Sequence, residues 1–313
     1  MKVMTEINKF GVKRRSKVEY VKLNNGVEMP ILNFGVYQIP QSETKQAVLN
    51  AIKIGYRGID TAQSYFNEKE VGDAVKECGL PREELFITTK VWIDNYGYEK
   101  CKKSINESLK KLQTDYIDLV LLHQPFSDYY GAYRALEELY TEKKIRAIGV
   151  SNFYADRLAD ICLFERKVIP AINQIETNPI NARFGDQEVA EKYGTHIMAW
   201  APFGEGKNNM FKNQTLTSIG NKYNKTAAQV ILRWLIQRGV IIACKSVHEE
   251  RMKQNFEVFD FKLTDEDMRV IKKLDTGNSL FFNHQDPNMV KWFDDMVKTR
   301  RIQQDSSKEK KNW

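Results

Sequence analysis

Cysteine is scarce in this sequence, and what little there is lies scattered. Cys78, Cys101, Cys162 and Cys244 form no Cys-x-x-Cys pair, and no histidine stands at metal-ligand spacing from any of them. That pattern argues against a disulfide framework and a structural zinc. It fits reduced thiols in a cytoplasmic protein, and no metal is expected. Long apolar runs are also missing; none approaches the ~20 residues of a membrane helix. The N-terminus is basic but lacks an apolar segment behind it, which excludes a secretory signal and, for Arg14-Arg15, a twin-arginine export signal. No membrane partner is therefore expected. A further absence concerns dinucleotide binding: no Gly-x-Gly-x-x-Gly follows the first strand-like run.

What remains is an ordinary globular composition, 42% hydrophobic and 28% charged over 313 residues. The net charge of +7 is concentrated at the two ends, in residues 9–17 and 298–313. Basic termini without interleaved aromatics or a binding motif read as solvated tails, so no nucleic-acid partner is expected. The chain divides into a basic N-terminal tail over 1–18, one folded unit over 19–284, and a C-terminal loop and basic tail over 285–313.

Within the folded unit, short apolar runs alternate with amphipathic segments. The strand-like runs are ILNFGV (31–36), YRGID (56–60), LFITTKV (85–91), YIDLVLLH (116–123), KIRAIGVS (144–151), AINQIE (171–176), THIMAWA (195–201) and VIIACKS (240–246). Their density in Ile, Val and Leu is that of parallel strands covered on both faces. Helix-like segments such as SETKQAVLNAIKIG and TAAQVILRWLIQRG separate them. Eight such units point to an α/β protein whose simplest closed form is a (β/α)8 TIM barrel. The open doubly wound sheet is the alternative. YVKLNNGVEMP, with its Asn-Gly turn, predicts an N-terminal β-hairpin beneath the barrel. FKLTDEDMRVIKKLD predicts a C-terminal helix before the tail, with Thr264 as its N-cap.

In a barrel of this kind reactive groups come from the C-terminal ends of several strands. The polar residues there are Asp60, Lys90, His123, Ser151-Asn152, Gln174 and Lys245-Ser246, with Trp200 on the seventh strand and Tyr65 in the loop after the second. Taken singly, Asp60 or Lys90 reads as half of an ordinary ion pair, and His123 or Trp200 as packing. Together they form a constellation. Asp60 gains a cation in Lys90, and that ammonium beside Tyr65 is expected to lower the phenol pKa and make Tyr65 a proton donor. His123 supplies a second hydrogen bond.

The stretches GYRGIDTAQSYFNEKEVG, TTKVW, DLVLLHQP, IGVSNF, NQIE and KSVHEERMKQN, in this order, resemble the signatures of the aldo-keto reductase family. The likeness is to the 2,5-diketo-D-gluconate reductase and prostaglandin F synthase-like members, and it spans about 18–284. It implies NADPH-dependent reduction of an aldehyde or ketone, with Asp60, Tyr65, Lys90 and His123 as a catalytic tetrad. It further implies NADP(H) bound across the barrel mouth without a Rossmann motif. Ser151, Asn152 and Gln174 would meet the nicotinamide carboxamide, and Trp200 would stack on the ring. Lys245, Ser246, Val247, Arg251 and Asn255 would hold the 2′-phosphoadenosine end. Tyr37, Trp92, Gln124 and Phe126 are candidates for the substrate pocket. The expected partner is a small carbonyl compound, and the expected form a monomer. A nicotinamide-binding regulatory or sensor subunit with weak turnover is the alternative. The sequence departs from the family pattern at Gly58, where His is common, and at Asn33, where Gly is common. It departs again at Gln124, where Trp often stands and which is expected to make the pocket more polar, and at Cys244, Gln254 and Asn178.

Overall fold

The computed structural model describes the backbone of residues 12–15, 18–164 and 166–309, and the side chains of 18–164 and 166–299. Eight parallel strands close into a barrel: β4 (Leu32–Gly35), β5 (Gly58–Asp60), β6 (Phe86–Val91), β7 (Leu119–Leu122), β8 (Ile148–Ser151), β9 (Ile172–Glu176), β10 (His196–Trp200) and β11 (Ile241–Cys244). They pair in sequence order, with β11 returning to β4. All eight predicted strands are present, and the closed barrel, not the open sheet, is the arrangement. The apolar density of these runs has the expected cause. In β7, Leu119, Val120, Leu121 and Leu122 are all fully buried between the barrel interior and the outer helices.

The outer ring holds α1 (Gln41–Ile54), α2 (Glu68–Glu77), α3 (Tyr98–Leu112), α4 (Tyr129–Thr141), α5 (Ala155–Leu163), α6 (Phe184–Lys192), α7 (Gln214–Tyr223), α8 (Ala227–Gln237), α9 (Glu249–Phe256) and α10 (Asp265–Lys272). Two of them begin with capping boxes, Thr226 with Gln229 and Thr264 with Asp267, which satisfy the free amides of the first turn.

Three short antiparallel strands, β1 (Val12–Arg15), β2 (Val18–Lys22) and β3 (Glu28–Pro30), form a separate sheet. The β2–β3 turn is Asn24 to Gly26, with Gly26 at φ 88°, a conformation that favours glycine. Asn25 donates to the carbonyl of Arg146 (2.8 Å) and Asn24 to that of Pro170 (3.3 Å), so the hairpin sits under the N-terminal ends of β8 and β9. The predicted hairpin is therefore at the barrel bottom. β1 lies in the stretch read as a tail; residues 1–11, 16, 17 and 310–313 of the two tails fall outside the described residues.

The segment 285–313 differs from its reading as loop and tail: it holds the longest helix of the chain, α11 (Pro287–Glu309). Its start is orthodox, Asp286 before Pro287 at the first helical position. Phe293 and Val297 pack with Trp92, Ile93 and Phe126 in a small apolar cluster apart from the main core. Among the described residues, no helix is long and apolar enough to cross a membrane.

Candidate active site

Parallel strand order puts every strand's C-terminal end on one rim, so Asp60, Lys90, His123 and Gln174 converge although up to 114 positions separate them. Lys90 lies at the centre and is fully buried. Its ammonium donates to Asp60 Oδ1 (2.6 Å), the Thr61 carbonyl (2.9 Å) and Tyr65 OH (3.2 Å), and stands 4.7 Å from the centre of the Tyr65 ring. Asp60 Oδ2 accepts from Gln174 Nε2 at 2.9 Å. Tyr65 is delivered by a short turn, Gln63–Tyr65, whose Gln63 Oε1 accepts from the Trp92 and Asn95 nitrogens at 3.0 and 2.8 Å. His123 begins the loop after β7. Its ring meets those of Tyr65 and Trp92 edge-on, at 5.7 and 5.1 Å, and its Nδ1 is 3.3 Å from Ser64 Oγ.

The electrostatics correct one expectation. Burial pushes the Tyr65 phenol above its ordinary value; the Lys90 charge pulls it down, but less strongly. The phenol is held in its acid form. Lys90 moves up as well: burial works against its charge, but Asp60 and Tyr65 outweigh that effect.

A cleft of about 630 Å³ opens above this cluster, lined by Tyr37, Asp60, Ser64, Tyr65, Trp92, His123, Gln124, Ser151, Asn152, Gln174, Trp200, Lys245 and residues of the C-terminal segment. The carboxamide candidates are engaged with one another. Ser151 Oγ donates to the Gln174 carbonyl (2.8 Å), and Trp200 Nε1 donates to Asn152 Oδ1 (2.9 Å). Asn152 adopts a left-handed backbone, φ 65°, which aims its amide across the strand end. Trp200 is half-buried, with the Phe281 ring 5.1 Å away.

Of the phosphate-end candidates, only Lys245 lines the cleft. Val247, Arg251, Ser246 and Asn255 lie on the loop and helix α9 that follow, the first two exposed and the last two buried. Ser246 Oγ accepts the His248 amide at 3.1 Å at the entry to α9. Glu249 is taken up by Lys253 at 3.0 Å.

Tyr37 and Trp92 are cleft walls. Phe126 is not: it is buried behind the wall, with its ring 5.3 Å from Phe293. Gln124 does line the cleft, but its amide oxygen accepts from His284 (2.9 Å) and Asn152 (3.3 Å), so it holds structure together as well as adding polarity. Sequence reasoning missed Ser64 and the C-terminal wall of Phe281, Phe282, Trp292, Phe293 and Met296. The helical spacing of Met289, Phe293, Met296 and Val297 carried that signal; the charges interleaved with it, Lys291, Asp294, Asp295 and Lys298, obscured it. A larger hollow of about 1130 Å³ lies at the other end of the barrel, under the hairpin, lined by Lys22, Arg57, Glu83, Glu84 and Arg146. It is lined by no C-terminal end of a barrel strand and by none of the rim residues.

Comparison with known proteins agrees with the barrel fold. The family model described as "Aldo/keto reductase family" matches residues 32–276. A glyoxal reductase of Bacillus subtilis (strain 168) is 45% identical over 256 residues, 81% of this chain and 92% of the relative. The crystal structure of an aldo-keto reductase from a Medee basin deep-sea metagenome library superposes with a TM-score of 0.83 at 41% identity, covering 85% of this chain and 98% of the other. A Bombyx mori aldo-keto reductase in complex with NADP superposes at 0.80 with 35% identity, over 84% and 94% of the two chains. With the closed barrel, the rim cluster and a match over most of its length, the chain belongs to the aldo/keto reductase family.

Proposed function

We propose that this protein reduces an aldehyde or ketone to the alcohol using NADPH, with Tyr65 as the proton donor. The observation that carries the reading is the Asp60–Lys90–Tyr65 contact chain at the cleft floor, 2.6 and 3.2 Å long, with His123 alongside. The residues around the cleft suit a phosphorylated dinucleotide. Lys245 is an exposed cation on its edge, Arg251 lies on the first turn of α9, and the amides of that turn favour an anion. The half-buried Trp200 ring suits a flat heterocycle. When bound, the nicotinamide supplies hydride to the carbonyl carbon.

The chain's own residues do the rest. Tyr65 OH gives its proton to the carbonyl oxygen as negative charge develops there, and Lys90 stabilises the phenolate left behind. With Ser64 donating to His123 Nδ1, the imidazole keeps its proton on Nε2 and donates it in a hydrogen bond to the same oxygen. Asp60 keeps Lys90 charged and in place. Glyoxal, the substrate named for the Bacillus relative, belongs with simple aldehydes in a first panel.

The test is NADPH consumption near neutral pH with glyoxal, methylglyoxal and 4-nitrobenzaldehyde, for the parent and Tyr65→Phe. The variant should lose ~10²–10⁴-fold in turnover while binding NADPH as before. Activity within about threefold of the parent would remove Tyr65 from the proton-donor role.

A further inference from the structure

We propose that His284 is a positioning residue that fixes the C-terminal helix over the cleft by gripping Gln124. The wall held in this way reserves the site for carbonyl compounds carrying a flat apolar body. The inference rests on the carbonyl-reduction reading above but adds a residue and a substrate class to it.

His284 is 3% exposed and fully engaged. Nε2 is 2.9 Å from Gln124 Oε1, and Nδ1 is 3.3 Å from Tyr154 OH. An amide oxygen can only accept, so Nε2 is the donor and Nδ1 accepts from the tyrosine hydroxyl; this is one neutral tautomer. Burial, with Arg183 nearby, pushes the imidazole down to about 3, so it keeps that tautomer through the physiological range. The ring lies beside those of Phe126 and Phe293, 6.1 Å from each with interplanar angles of 23° and 22°, and the three form one cluster.

The partner is rigid. Gln124's backbone is pinned from the other side, with its amide donating to Tyr96 OH (2.9 Å) and its carbonyl accepting from the same hydroxyl (2.7 Å). Its side-chain oxygen is shared with Asn152, which in turn receives Trp200 Nε1. The grip on the C-terminal segment therefore ends on the same acceptor that orders the opposite wall of the cleft.

Ahead of His284, Ser279 Oγ and the Leu280 amide donate to Glu176, and the Leu280 carbonyl accepts from Lys207, which anchors the chain at the rim; beyond His284 the polar ties are few. Among the described residues, the two side-chain ion pairs within α11, Lys291–Asp295 and Lys298–Asp294, are internal to the helix. Gln285 makes one exposed 3.3 Å bond to Asp156. His284 lies three residues before Pro287, where α11 begins, so its position sets the angle at which the helix leaves. Val297 then packs down, Phe293 and Met296 both join the apolar cluster and line the cleft, and Trp292 faces the cleft. Trp292 is 51% exposed, an apolar surface with room for a ligand. The site thus has a polar floor of Asp60, Tyr65 and His123 beneath walls of Tyr37, Trp92, Trp292 and Phe282. A two- or three-carbon dicarbonyl reaches only the floor. An aryl aldehyde spans both and depends on the wall.

The test compares 2-naphthaldehyde with methylglyoxal for the parent, His284→Phe and His284→Gln. His284→Phe keeps a stacked ring and loses both hydrogen bonds; His284→Gln restores a donor to Gln124. Hydrogen–deuterium exchange over residues 287–299 is followed in all three. The parent should favour 2-naphthaldehyde in kcat/KM. His284→Phe should lose tenfold or more on it through KM, stay within threefold on methylglyoxal, and exchange faster across α11, with His284→Gln recovering most of each effect. A parent that favours methylglyoxal overturns the substrate class. Parent-like exchange and KM in His284→Phe overturn the grip. If no carbonyl compound is reduced, the function reading fails, and the exchange comparison still decides whether His284 holds the helix.

Discussion

Gly58 and Asn33 each depart from the family pattern, and the barrel register pairs them directly across β4 and β5. A Cβ added at Gly58 would fall 1.8 Å from Asn33 Oδ1 and 2.7 Å from its Cγ. The amide occupies the space a side chain at 58 would fill. Asn33 has no easy retreat, because Nδ2 donates to the carbonyls of Pro30 (2.9 Å) and Ile242 (3.3 Å), and the residue is fully buried. Gly58→Ala must therefore overpack the barrel, at ~1–3 kcal/mol, and by displacing the amide leave buried polar groups unmet, at a further ~1–3 kcal/mol. The lost chain entropy of glycine returns only ~0.4–1 kcal/mol. A net destabilisation of about 3 kcal/mol follows, a large part of a typical ~5–15 kcal/mol total. Asn33→Gly alone should also destabilise, by leaving a hole. Together, Asn33→Gly with Gly58→Ala should recover most of the loss, because the new methyl enters the space the amide has left, giving a coupling above about 2 kcal/mol, as contacting sites do. Urea unfolding of the four proteins measures this, provided the slopes agree. Gly58→Ala within about 0.5 kcal/mol of the parent, or a double variant as unstable as the two singles summed, would refute the reasoning.

Other consequences concern the reaction. Lys90→Met leaves Asp60 buried with Gln174 as its remaining side-chain donor, so stability should fall by ~3–5 kcal/mol and reduction should collapse; unchanged melting and turnover would show the pair to be idle. Because burial raises the Tyr65 phenol, the donor stays protonated at neutral pH. Carbonyl reduction should hold level and decline only as pH rises through that raised pKa, above the ordinary value of ~10; a pH–rate profile that falls with rising pH well below it would contradict this. Arg251→Ala should weaken NADPH tenfold or more, at ~1.5–3 kcal/mol per charge-assisted bond, and leave NADH unchanged, as read from tryptophan quenching; equal loss for both would place the 2′-phosphate elsewhere.

The barrel was legible because its signal is local: most strands announce themselves by a short run dense in apolar residues, and strand ends are countable positions. Asp60, Lys90 and His123 could be singled out on that basis. What lay beyond reach depends on register and on contacts far apart in the chain. No spacing rule joins Gln174 to Asp60, His284 to Gln124, or Asn33 to Gly58, since the first crosses the barrel, the second comes back from the C-terminus, and the third depends on the register of two neighbouring strands. The sign of the Tyr65 shift was equally hidden: a neighbouring ammonium was foreseen, but the depth of burial that outweighs it is a property of the closed cleft. α11 was missed for a different reason, because its cleft-facing residues are interleaved with the charges of an apparent tail.

The bonds of Lys90 also bear on which group meets the substrate. An ammonium has three protons, and all three are spent here, on Asp60 Oδ1, the Thr61 carbonyl and Tyr65 OH. Lys90 has none left for a carbonyl oxygen. Because the phenol oxygen accepts from Lys90, its own proton is free to point into the cleft. A buried ion pair of this kind is a poor source of stability, since well-packed apolar residues commonly serve as well or better. Its retention at the floor of a 630 Å³ cleft therefore argues for chemistry. On this reading the charge is spent on the phenolate that exists only after proton transfer, and the proton comes from Tyr65.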